Sequence, residues 1–246
     1  MRRPEPHPTD TVGRQLVRVL AIIVFAIGAV FVGGTAAAIL YLERNPPPLS
    51  AFMWISRTSD PSTNLPCDEV LYEWVDRDRI SPHLRLAVVL AEDQRFMLHR
   101  GIDFDAIEKA LWEREHHGRV RGASTLTQQV AKNLFLWPGS DWTRKILEVW
   151  FTLWIEATWS KQRILETYLN VAQFGPCVFG AEAASQRYFE RGAESLEPEQ
   201  AALLATVLPN PKKLRAHNPG PFARKRTQEI AGLMRELRRA RHLQGL

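Results

Sequence analysis

A chain of 246 residues, 45% of them apolar, is long enough to bury a full core, and one catalytic-sized domain with an appendage is the expected organisation. The formal charge of +5 points to anionic partners: nucleic acid, a phosphate-bearing substrate or an anionic membrane surface. The two cysteines, Cys67 and Cys177, lack zinc-type spacing, which excludes a structural zinc module. They could meet in an oxidising compartment, but two unpaired thiols are the expectation.

Residues 1–18 form a polar, proline-bearing tail with Arg2, Arg3, Arg14 and Arg18 as its main charges. Residues 19–42 carry no charge at all, and about two dozen apolar residues suffice to cross a hydrocarbon core as a helix. A cleavable signal peptide would have a shorter apolar region, so a retained anchor is expected. The preceding arginines would hold the N-terminus in the cytoplasm and place the rest outside. Pro46, Pro47 and Pro48 act as a stiff spacer within a 43–64 linker, of which 51–64 reads as a weakly ordered approach. A domain over 65–246 follows, and residues 70–75 have the β-propensity of a short strand.

Ser81 followed by Pro82 starts a helix that runs into Glu92. Extended helically, Glu92, Phe96 and His99 would share one face. An acid closing an apolar run is where a carboxyl pKa rises, and a raised carboxyl is a usable base near neutral pH. An ordinary surface acid pair, Glu92 with Asp93, explains the spacing equally well.

Asp103 caps a helix over 104–117 that Gly118 ends. Thr125 and Gln128 form a capping box opening another helix, on which Thr125, Gln129 and Lys132 share a face suited to phosphate, or to nothing at all. The helix from Asp141 to Trp159 is apolar nearly all round except for Arg144, Glu148, Thr152 and Glu156, each four residues from the last. So apolar a helix sits in a core or touches lipid, and its charged stripe must be paired or line a polar cleft. A structural Arg144–Glu148 salt bridge would satisfy that alone. Ser160 caps a further helix, Gly175 and Gly180 bracket a turn, and Pro198 and Pro221 open the last two helices. The arginines of the final helix read as a solvated face or one lying on anionic headgroups. The domain reads as mainly helical.

An exported helical domain with two placed acids and basic residues beside them already narrows the chemistry. Paired carboxylates are the apparatus of glycosidic reactions, and neighbouring cations suit a phosphate leaving group.

Here the residues resemble a known family. Glu92-Asp93-Gln94-Arg95-Phe96 through His99 and Gly101 is similar to the first signature of the peptidoglycan glycosyltransferases. Gly122 to Gln129 with Lys132-Asn133 resembles the second, Arg144-Lys145 with Glu148 the third, Lys161 with Ile164-Leu165-Glu166 and Tyr168-Leu169-Asn170 the fourth, and Gly180 with Ala183-Ala184 and Tyr188-Phe189 the fifth. With no room for a transpeptidase domain, the chain resembles the monofunctional members rather than class A penicillin-binding proteins. The resemblance implies a lysozyme-like, mainly α-helical fold behind one transmembrane helix. It also implies polymerisation of lipid II into β-1,4-linked glycan with release of undecaprenyl diphosphate, on the outer side of the cytoplasmic (inner) membrane.

Carried over, Glu92 would be the general base and Glu148 the second catalytic carboxylate, near the donor diphosphate. Lys132, Arg144 and Lys145 would hold that diphosphate, while Asp93, Phe96, His99, Thr125 and Gln129 would shape the cleft. A magnesium or manganese requirement is implied without a dedicated protein site. The partners implied are lipid II, the nascent strand, membrane lipids and other cell-division or cell-wall synthesis proteins, and not nucleic acid. Residues 105–121 correspond to a membrane-facing region of the family, here short and charged. A glycan-cleaving muramidase and a non-catalytic scaffold are the competing readings.

Overall fold

The computed structural model describes residues 8–118 and 122–240, which fall into two units, 1–44 and 45–246. Arg2, Arg3, Arg121 and the chain beyond 240 lie outside the described residues. The first unit is one helix, α1 (Pro8–Arg44), within which Arg14–Arg44 is long and apolar enough to cross a membrane. Its 31 residues, at about 1.5 Å each, exceed a hydrocarbon core of about 30 Å.

The second unit is helical with one small sheet. Its helices are α2 (Ala51–Ser56), α3 (Pro82–Glu92), α4 (Phe104–His117), α5 (Leu126–Phe135), α6 (Trp142–Thr158), α7 (Lys161–Val171), α8 (Ala181–Phe189), α9 (Pro198–Val207) and α10 (Pro221–Ala240). The apolar α3, whose Leu84, Ala87 and Val88 are fully buried, packs against α9 and α10. Helix α5 packs against α2, α6 and α7. The acid-bearing end of α3 and the amide- and lysine-bearing face of α5 come together where these two groups of helices meet.

Local chemistry sets most boundaries. Asp141 and Ser160 accept from the backbone N–H of Arg144 and Arg163 and so cap α6 and α7, while Asp103 accepts from Ala106 and starts α4. Gly118, at φ 62°, ends α4 in the left-handed region.

Four expectations are corrected. The segment after the triple proline is ordered: Ser50 caps α2, and the fully buried Asp60 organises the following turn. The Asp60 carboxylate accepts from Ser62 N at 2.7 Å and Thr63 N at 3.2 Å, and reaches across to Gln173 Nε2 at 2.7 Å. The cysteines are not free thiols. Cys67 and Cys177 form a disulfide across 110 residues of sequence, because the Asp60 turn is docked on the hairpin that carries Cys177 and Asp60 also accepts from Cys177 N at 3.1 Å.

The strand expected over 70–75 is only β1 (Leu71–Tyr72). It pairs in parallel with β3 (Val178–Phe179), and β2 (Gln173–Gly175) pairs with β3 antiparallel. Beyond Tyr72 the buried Asn170 amide takes the ladder's place, accepting from Val75 N and donating to Val75 O, both at 2.9 Å.

Finally, α3 stops at Glu92, so Glu92, Phe96 and His99 do not share a helix face. The cause is Asp93, which leaves the helix with φ −155° because its side chain is committed elsewhere.

Candidate active site

The Asp93 carboxylate accepts from Leu126 N, in the first turn of α5, at 3.0 Å. It also meets His99 Nε2 at 3.0 Å. One side chain therefore ends α3, caps α5 and folds the 94–99 turn back on itself. Inside that turn Phe96 is fully buried, with the Lys161 ammonium 4.6 Å from its ring centroid. Lys161 pairs with Glu156 at 2.8 Å, and Thr127 Oγ1 donates to the same Glu156 oxygen at 2.5 Å. The turn closes at Gly101, φ 83°, where a Cβ would lie 2.8 Å from both Glu156 Cγ and Thr152 Cγ2. Thr125 Oγ1 donates to Gly101 O at 2.6 Å while accepting from Gln128 N at 3.2 Å, so the capping box also ties down the turn.

This frame leaves the Glu92 side chain at the free end of α3. Gln129 Nε2 donates to Glu92 Oε2 at 2.8 Å, and Tyr168 Oη donates to Gln129 Oε1 at 3.2 Å. Burial pushes the Glu92 carboxyl above its ordinary range, opposed by the Gln129 hydrogen bond and by the charges of Lys132 and Arg226. The hydrogen-bonded Glu92 and Gln129 each line a cavity. One, of about 300 Å³, is lined by Glu92 with Arg95, Asp103, Asp105 and Lys109. The other, of about 260 Å³, is lined by Gln129, Lys132, Asn133, Tyr168 and Lys212.

Helix α6 reverses the usual amphipathic rule. Its polar stripe, Arg144, Glu148 and Thr152, is the buried one, while Trp142 and Ile146 are 83% and 68% exposed. Arg144 Nη1 donates to Glu148 Oε2 at 2.5 Å and Lys145 Nζ holds the other carboxylate oxygen. Arg144 Nε is buried with no hydrogen-bond partner among the described residues. Burial lowers the Lys132 pKa; the charge of Glu148 raises it, Arg144 and Lys145 lower it, and Glu92 raises it. Lys132 thus stands in the fields of both acids, with no carboxylate at ion-pair distance among the described residues.

The structure brings Glu92, Gln129, Lys132, Glu148, Arg144 and Lys145 into one electrostatic neighbourhood. Asp93 and Thr125 line the first cavity but spend their hydrogen bonds on the frame. Phe96 and His99 lie buried beneath it. Sequence reasoning assigned no role to Tyr168, Glu156 or Arg226. Glu156 was visible as the fourth member of the polar stripe, whereas Arg226 was lost in an arginine-rich helix.

Among the described residues, the acids nearest the site are already committed and do not fit a divalent cation of their own. Asp93, His99 and Asp103 cluster closely enough to hold one. Yet Asp93 is committed to Leu126 and His99, and Asp103 to Ala106 N and Arg95. Glu148 gives both oxygens to cations.

Comparison with known proteins places this geometry. The sequence profile described as Transglycosylase matches residues 61–235. The chain belongs to the transglycosylase family. Relatives named biosynthetic peptidoglycan transglycosylase come from Cronobacter sakazakii, 48% identical over 93% of this chain and 95% of the relative, and from Pseudomonas savastanoi, 45% identical over 88% and 91%. One from Xylella fastidiosa is 49% identical over 75% and 76%. The lysozyme-like, mainly helical character of the transglycosylase domain agrees with the expected fold class.

Proposed function

We propose that this transglycosylase is a peptidoglycan glycosyltransferase that polymerises lipid II into β-1,4-linked glycan and releases undecaprenyl diphosphate. The observation that carries the reading is a half-buried carboxyl, Glu92, in the field of Lys132, which itself stands in the fields of a second, buried acid, Glu148, and the two cations paired with it. In this reaction the acceptor sugar's 4-hydroxyl attacks the donor's anomeric carbon and gives its proton to Glu92. The bond from that carbon to the diphosphate oxygen breaks, and negative charge grows on the leaving group. Lys132, Arg144 and Lys145 neutralise that charge where water is partly excluded. Glu148 holds Arg144 and Lys145 in place. A cavity lined by Glu92 and another lined by its partner Gln129 suit an acceptor and a donor. A glycan-cleaving enzyme on the same fold has no diphosphate to neutralise, so the cation set favours synthesis. Incubation with purified lipid II separates the two: strand growth supports synthesis, and shortening of finished glycan without growth from lipid II refutes it.

Glu148→Gln removes the carboxylate that both Arg144 and Lys145 hold. Breaking a buried ion pair from one side costs about 3 kcal/mol or more, here read as a lower urea midpoint. The Michaelis constant for lipid II should rise as well, because the cations are no longer held in position. Unchanged stability and unchanged kinetics would remove Glu148 from the site.

The reading places the second unit outside the cytoplasmic membrane, with α1 as its anchor. The Cys67–Cys177 disulfide supports this, since such bonds persist in oxidising compartments. Exposed aromatics on the second unit, Trp54, Trp137 and Trp142, suit a headgroup interface, and lipid II itself arrives by way of the bilayer. Replacing all three by alanine is expected to weaken binding of the unit to liposomes; unchanged flotation would dismiss them as a seat. Lipid II, the growing strand and membrane lipids are the partners of this function, and other cell-wall synthesis proteins are natural associates.

A further inference from the structure

Tyr168 is 1% exposed, and the only hydrogen bond its hydroxyl makes among the described residues is the one to Gln129 Oε1. It lies on α7, two side chains away from the base, and neither of the two roles assigned above, base and cation cradle, uses it. Its position decides a question the base depends on, namely which end of the Gln129 amide faces Glu92.

An amide has one accepting and one donating end, and the two are nearly the same shape. With Nε2 toward Glu92, the amide donates to a carboxylate and favours the charged form. With Oε1 toward Glu92, acceptor faces acceptor, and only a protonated Glu92 satisfies the contact. What lies at the far end of the amide chooses between them. Tyr168 stays a neutral donor, because burial and the nearby Glu92 charge hold its pKa well above the ordinary phenol value. Its O–H pointed at Oε1 suits the orientation with Nε2 on Glu92.

We propose that Tyr168 is a positioning residue for the base: its buried hydroxyl orients the Gln129 amide so that Glu92 is held as an aimed, unprotonated carboxylate. The proposal rests on the assignment of Glu92 as the base. Three other charges act on Glu92, Lys132 on α5, Arg226 on α10 and the adjoining Asp93, and none of them touches the amide's accepting end. Removal of the hydroxyl takes from the half-buried Oε1 the donor that Tyr168 supplies. The amide is then released to turn and meet a protonated Glu92, so Glu92 takes up its proton at higher pH. The sign is therefore fixed: the acid limb of activity moves upward, and the plateau above it is retained.

The test uses the full chain in detergent micelles. The Glu92 carboxyl is titrated by carbon-13 NMR in the wild type, Tyr168→Phe, Gln129→Leu and the double variant, alongside lipid II polymerisation against pH. Tyr168→Phe is expected to raise the Glu92 midpoint by about one pH unit, equal to about a tenfold loss of rate on the acid limb. In the Gln129→Leu background the same substitution should add nothing, because the link is already cut. A Glu92 midpoint that does not move in Tyr168→Phe overturns the proposal, as does an equal shift with and without Gln129. A rate lost evenly at every pH with no shift in titration assigns Tyr168 to packing alone and likewise overturns it. The NMR titration reads the relay without turnover, so a protein inactive on lipid II would refute the function proposed above and leave this test standing.

Discussion

Glu92→Gln is expected to lower lipid II polymerisation by about 10²- to 10⁴-fold, the usual contribution of a positioned general base. Glutamine keeps the shape and can still meet Gln129, but it cannot take the acceptor's proton. The loss should appear in kcat while thermal stability holds or rises slightly. The stability sign follows from burial: a carboxyl whose pKa is raised on folding favours the fold only while protonated and costs stability above that pKa. An amide removes that cost. For the wild type, the rate should fall on the acid side as Glu92 protonates, at a pH above the ordinary carboxylate range. On the alkaline side it should fall as Lys132 loses its charge, below the ordinary lysine range, because burial depresses its pKa. A Glu92→Gln protein that polymerises at the wild-type rate would place the base elsewhere.

Removing the Cys67–Cys177 bond, by Cys67→Ser with Cys177→Ser, is expected to cost about 5 kcal/mol of stability. Its sequence separation of 110 residues closes a long loop, and chain-entropy estimates for a loop of about 100 residues lie near that value. Asp60 adds to the local dependence. It is fully buried with no cation at ion-pair distance among the described residues, and it is satisfied by hydrogen bonds from Ser62, Thr63, Gln173 and Cys177. Pro61 and Ser62 of the same turn line the cavity that holds Lys132, so loosening it opens one wall of the site. The measurement is urea unfolding with and without dithiothreitol. The wild type should lose stability on reduction and the double variant should show no further change. An identical wild-type midpoint under both conditions would show that the bond does not constrain the fold.

How far the sequence reaches depends on whether a feature is local. The caps at Ser81, Asp103, Thr125 and Ser160 act within three residues of themselves, and each helix begins where its cap predicts. The Arg144–Glu148 pair lies one helical turn apart and was legible for the same reason. Most of the failures involve partners far along the chain. Asp93 was read as a neighbour of Glu92 when its partner is Leu126 on another helix. The strand at 70–75 was cut short by Asn170, 95 residues away. Two cysteines so far apart gave no pattern to read. The all-round apolarity of α6 hid its orientation, because which face is buried is set by its packing against α5. Of the candidate site, the resemblance supplied the residues in advance. What it lacked was the division of labour, with Asp93, Phe96, His99 and Thr125 building the frame beside which Glu92, Lys132 and Glu148 stand.

A count of products from purified lipid II, wild type against Glu92→Gln, tests directly whether Glu92 drives polymerisation. The wild type is expected to release one undecaprenyl diphosphate for each disaccharide added to a growing strand, and Glu92→Gln almost none. Glycan shortened without lipid diphosphate release, or release undiminished in Glu92→Gln, would contradict that expectation.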